Sequence, residues 1–258
     1  MLRPLFIIFA LLFAAPAWAQ TAKDARELIT LGDYDTARQI AESLGTAEGY
    51  ALAAESLCAQ ILLGEAEKLN KTSKKARDLS EKALELDPTL YDAKLQYVLS
   101  DGFVTRTSGD LTAWRKKLPS KTLAKIQAFR AAYPDDPKGL ALEGAWHLGV
   151  IRKVGEKNGG KWFGASLAEG QRLYALARAG APEDVLIETN YAMSLLVLDV
   201  ETYGPLVKPL LEEVTNLPAN DDLYRKVEAK VAMVLAAYGD NKQVKKLAER
   251  FLDGEPLE

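Results

Sequence analysis

The chain has 258 residues, with 33 Lys and Arg against 36 Asp and Glu, one histidine and one cysteine. That mildly acidic, mixed charge argues against a nucleic-acid partner, which calls for a dominant basic face, and a lone Cys58 rules out an intramolecular disulfide. At 48% apolar residues the chain has ample material for a core.

The first element is MLRPLFIIFALLFAAPAWAQ. Arg3 gives a positive start, residues 5–15 an apolar run, and Ala17-Trp18-Ala19 a small-x-small cleavage signature. The pattern predicts a secretory signal peptide over residues 1–19, cleaved after Ala19 and too short to span a bilayer. No cysteine follows the cleavage point, so a lipid anchor is not expected. Without Arg3 the balance is 32 Lys and Arg against 36 Asp and Glu, a net of −4. No later run is long and apolar enough to cross a membrane, so the expectation is a periplasmic protein with no transmembrane span.

The segment AKDARELITLGDYDTARQIAESL then reads as two helices around Gly32-Asp33-Tyr34-Asp35-Thr36-Ala37. Glycine tolerates the left-handed stop, and alanine suits a helix crossing. Residues 47–70 predict one long helix with Leu52, Leu57, Ile61 and Leu62 inward. Cys58 lies in this apolar stretch and reads as a buried, inert thiol.

The organising stretch is ARDLSEKALELDP, from Ala76 to Pro88. Ala76, Leu79, Ala83, Leu84 and Leu86 fall at helical spacing, leaving the other face charged. Two alanines two turns apart let a neighbouring helix approach closely. Asp87-Pro88 should end this helix and open the next, since proline fits a first helical turn but not an interior. Leu90, Ala93, Leu95, Val98 and Leu99 predict a further helix, halted near Ser100-Asp101-Gly102.

These small–apolar–proline spacings resemble the tetratricopeptide repeat, a helix–turn–helix unit of about 34 residues. The resemblance implies an all-α fold, an α-solenoid of stacked antiparallel helix hairpins. It is carried by the segments around Gly32, Ala76 and Pro137, so residues 20–137 are expected to form tetratricopeptide-like repeats. Residues 138–258 are expected to continue the same solenoid as divergent helical repeats. The matching residues are structural in the family and imply no catalytic or ligand role.

Two segments break the pattern. FVTRTSGDLTAWRKKLPSK, rich in turn formers and positive charge, reads as irregular, and so does GEKNGGKWFGAS. Helices are predicted at 123–133, 139–153, 167–179, 183–200, 203–217, 221–238 and 241–252, with Gly239-Asp240 repeating the turn seen at Gly32. No strand pattern occurs.

The inventory for chemistry is thin. His147 is the only histidine, which leaves hydrolytic triads and two-histidine zinc motifs without their parts. Residues 155–161 nearly spell a phosphate-binding loop, but Trp162 follows where a Ser or Thr should hold magnesium, and a helix precedes instead of a strand. Glu55-Ser56 resembles the acidic site of lytic transglycosylases, yet the glycine-rich and aromatic motifs of that catalytic domain are missing, and most glycosidases need two carboxylates. No cofactor, metal or catalytic residue is therefore expected, and the chain reads as no enzyme.

What remains is a set of interaction residues: Arg106, Trp114, Arg115, Trp146, His147, Lys161, Trp162 and Phe163. Arg and Trp are the side chains that most often anchor interfaces, and insertions in solenoids map to binding faces. The expected function is an interaction or scaffold protein that holds a protein or peptide partner of the cell envelope in a concave groove. The alternative is a small-molecule-binding accessory subunit of a solute transport system, for which a closed pocket lined by Trp146, Trp162 and Phe163 would speak. An enzyme with an unrecognised site is the third reading.

Overall fold

The computed structural model describes residues 21–257, which form fourteen helices and no strand. The expected signal peptide, residues 1–19, lies outside the described residues. Among the described residues no helix is long and apolar enough to cross a membrane.

Side-chain caps set most helix starts. Thr21 and Asp24 form a reciprocal capping box at α1 (Ala22–Leu31), and Gly32 ends it at φ 85°. Asp33 caps α2 (Tyr34–Ser43) and Thr46 caps α3 (Ala47–Leu62). The predicted 47–70 helix is two: Gly64, at φ 67°, breaks it, and α4 (Leu69–Leu86) follows. Asp87 ends α4 as expected, but Pro88 does not open the next helix; α5 (Tyr91–Thr107) starts three residues later.

Helix α5 also runs through Ser100-Asp101-Gly102, where a stop was predicted. Phe103 and Val104 are buried beyond it, and that packing outweighs the weak helix propensity of one glycine. Both segments read as irregular contain helices. The first holds the end of α5, then α6 (Asp110–Arg115) and the start of α7 (Leu118–Ala132). Next comes α8 (Pro137–Val154), capped by Asp136 with Pro137 in its first turn. The second segment holds α9 (Glu156–Phe163), framed by Gly155 and Gly164, both at positive φ.

The rest follows the predicted order: α10 (Leu167–Gly180), α11 (Val185–Leu198), α12 (Val200–Val214), α13 (Asp222–Ala236) and α14 (Asn241–Asp253). Ser166, Asp184, Asp199, Asp221 and Asp240 cap them in turn.

Consecutive helices pack on one another from α1 to α5, then α5 on α7, α7 on α8 and α8 on α10. Small residues set the approach. Ala25, Ala37, Ala41, Ala53, Ala76, Ala83 and Ala93 are all buried, as the spacing around Ala76 predicted. A Cβ on Gly144 of α8 would stand 2.8 Å from the Tyr174 ring of α10, so that contact admits nothing larger than glycine. Helix α11 is the centre of the second half. It touches α8, α10, α12, α13 and α14, and eleven of its 14 residues are buried.

The last two helices return to the first. α13 packs on α1, Lys226 pairs with Glu65 at 2.8 Å, and the Lys230 ammonium donates to the Leu63 carbonyl at 2.7 Å. At the end of α14, Asp253 accepts two hydrogen bonds from Arg152, at 2.9 and 2.5 Å, and the Leu252 carbonyl accepts from Arg106. Gly254 lies against the Ile61 carbonyl so closely that a Cβ would stand 2.8 Å from it, and Leu257 is buried.

Candidate functional site

The two short helices that interrupt the packing order meet each other. Trp114 of α6 stacks edge-on against Trp162 of α9, with centroids 5.3 Å apart and planes at 74°, and against Phe163 at 5.8 Å and 87°. Residues 48 positions apart in the chain thus form one aromatic cluster. It faces solvent: Trp114 is 54% and Trp162 47% exposed, and Leu111, one turn before Trp114, is 72% exposed. Phe163 is half-buried and packs inward against the cluster that contains Trp146 and Ile151.

Cations flank these rings along the chain. Arg115, Lys116, Lys117 and Lys121 lie on or beside α6, and Lys153, Lys157 and Lys161 on or beside α9; all seven are exposed. None forms an ion pair with a described acidic side chain. Glu156, in the first turn of α9, is an exposed acid among them.

Two adjacent residues of α8 root this patch in the core. The Trp146 indole N–H donates to the Pro119 carbonyl at 2.8 Å, fixing the first turn of α7 directly behind α6. Lys117, between the two helices, is the one described non-glycine residue at positive φ (53°), so that turn is tight. His147 Nδ1 accepts the Ser166 N–H at 3.2 Å, fixing the residue that caps α10 directly after α9. The two rings meet edge-to-face at 5.1 Å and 79°. Trp146 is 8% and His147 6% exposed. Burial pushes the imidazole below its ordinary pKa, against the opposing pull of Glu143 and Glu169, so it stays neutral and able to accept.

The expected interaction residues therefore divide in three. Trp114, Arg115, Lys161, Trp162 and Phe163 come together on the surface. Trp146 and His147 lie behind them as supports, buried, with the indole N–H engaged by Pro119 and the imidazole Nδ1 by Ser166. Arg106 is elsewhere, at the end of α5, stacked 5.5 Å over Phe103 and holding Leu252. Sequence reasoning missed Leu111 and Lys153. The signal for Leu111 was present, an apolar residue three before Trp114 on a short helix, but the segment read as irregular and offered no face to assign it to.

Other candidates lose their chemistry in place. Residues 155–161 are the start of a helix preceded by a helix, so they form no phosphate-cradling loop. Glu55 lies on α3 with its carboxyl raised by burial, among the charges of Arg26, Asp92, Lys138 and Asp221. Cys58 is buried and its thiol pushed far up, beyond reach of thiolate chemistry.

Compared with known proteins, the sequence matches no family model, and no curated protein matches it. The chemistry available at the patch is attachment: apolar area, indole N–H groups and positive charge.

Proposed function

We propose that this chain is an exported, non-catalytic interaction protein of the periplasm. In this reading it is a tetratricopeptide-like solenoid of stacked antiparallel hairpins whose two inserted helices carry the surface that holds an acidic partner of the cell envelope. One observation carries the reading. Trp114, Trp162 and Phe163 converge from separate insertions onto an exposed surface flanked by seven cations that form no ion pair among the described residues. Exposed tryptophans cost solubility, and grouped ones mark contact sites.

The patch serves this role better than a concave groove. Helices α13 and α14 fold back on the N-terminal helices, and the grouped aromatics face solvent on α6 and α9. The small-molecule alternative needed Trp146, Trp162 and Phe163 around one closed pocket. Trp146 is instead buried and engaged with Pro119, while Trp162 stands half in solvent.

The test is photocrosslinking in the intact envelope. A photoreactive phenylalanine analogue at position 162 should give a discrete adduct that the same group at the exposed position of Leu206 does not. Equal labelling from both positions, or none from position 162, overturns the reading.

A further inference from the structure

The composition of the patch says more about its occupant. We infer that it docks on an anionic lipid surface, with Leu111, Trp114 and Trp162 entering the headgroup region and the flanking cations neutralising phosphates. This rests on the proposal that the patch is the attachment surface, and names the partner.

Three observations carry it. First, positive charge is concentrated next to exposed tryptophans. Elsewhere some surface cations are paired, Arg26 with Glu48 and Asp92, Arg38 and Lys75 with Glu42, Arg172 with Glu169, and Lys226 with Glu65 and Asp222, while the exposed Lys242, Lys245 and Lys246 of α14 carry charge with no tryptophan on their helix. Around α6 and α9 seven cations stay unpaired among the described residues, on a chain that is acidic overall. A positive island on an acidic protein is oriented towards a negative plane.

Second, six of the seven cations are lysine. Lysine is depleted in protein–protein interfaces, where arginine's rigid fork matches a carboxylate. Its compact charge on a long flexible stem suits a diffuse layer of phosphates, with the stem lying along apolar surface. Third, the two tryptophan rings pack on each other with about half of each in solvent. They stand in solvent at the ends of two short helices, and tryptophan is the side chain most at home at the boundary between hydrocarbon and water.

The attachment is reversible. Each cation brought near an anionic bilayer strengthens binding about fivefold, and the attraction falls off within roughly 8 Å at physiological salt. The test mixes the purified chain with vesicles of phosphatidylcholine alone, or of phosphatidylcholine with phosphatidylglycerol. The chain should sediment only with the anionic vesicles, its Trp emission shifting to the blue, and high salt should release it. Replacing Lys116, Lys117 and Lys161 by Gln should weaken binding about a hundredfold, three cations at about fivefold each. Replacing Lys242, Lys245 and Lys246 by Gln removes the same charge from α14 and should leave binding within about twofold, because those cations lie on another helix.

Equal binding to neutral vesicles, equal loss in the two triple variants, or no vesicle binding overturns the lipid inference. Absence of vesicle binding together with a protein adduct at position 162 sinks the lipid inference alone and leaves the attachment surface standing. Absence of both removes the two together.

Discussion

Two places in this molecule bring distant residues together, and they do so in opposite ways. At the seam where α13 and α14 meet earlier helices, Arg106 meets Leu252, Arg152 meets Asp253, Lys226 meets Glu65 and Lys230 meets Leu63. Each charge there finds a partner, and Phe251, Leu252 and Leu257 are buried beside them. At the patch, Trp114 meets Trp162 across a shorter gap in sequence, but the rings stay wet and the cations have no ion pair among the described residues. A satisfied contact holds a fold in place. An unsatisfied one, kept exposed, is available for something else.

That contrast breaks most sharply at Phe251. It is buried at the seam, so Phe251→Ala should cost about 3–5 kcal/mol, read as a fall in denaturant midpoint. Trp146→Phe comes next. It leaves the Pro119 carbonyl without its donor and should cost about 2 kcal/mol, while also loosening α6 against α9. Near-ultraviolet dichroism reads the second effect, because the Trp114–Trp162 pair would lose its fixed angle.

Arg152→Ala should cost about 1–2 kcal/mol, since it strips two charged hydrogen bonds from the partly exposed Asp253. A substitution in the patch itself is the opposite case. Trp114→Ala should move stability by no more than about 0.5 kcal/mol while abolishing attachment. If it unfolds the protein instead, the patch is a piece of the core.

The smallest effect is a slope in pH. Folded His147 has its pKa held below the ordinary 6.5 by burial, whereas the unfolded chain protonates it near that value. Its contribution is therefore full above that value and is lost as pH falls through the folded pKa. Glu55 and Glu188, both raised by burial, act in the opposite sense, so the comparison is between wild type and His147→Asn. Thermal melts across that range should show a shallower acid decline in the variant. An unchanged slope would remove His147 from the support role.

Helix identity was readable in the sequence, because apolar spacing and caps are local. Gly32, Asp87 and Gly239-Asp240 stood where the chain turns, and alanines at 76 and 83 marked close packing. Helices inside the two glycine- and charge-rich segments were not readable. Gly159 helps make α9 by packing against Ala165, Val150 and Ile151, a tertiary contact with no local trace. The candidate residues were chosen as a set rich in Trp and Arg, and nothing local in the sequence separates those facing out from those facing in. Trp146 and His147 sit beside each other on α8, and only their acceptor and donor, Pro119 and Ser166, show which way they look.

The fastening of α14 to α3, α5 and α8 has a mechanical corollary. An array of helix pairs with loose ends peels from one end, pair after pair, when stretched. Here, among the described residues, α13 and α14 are clasped to earlier helices, so a pull that separates them must shear Arg106, Arg152 and Lys226 from their partners. Force–extension traces should open with a single dominant rupture instead of a staircase.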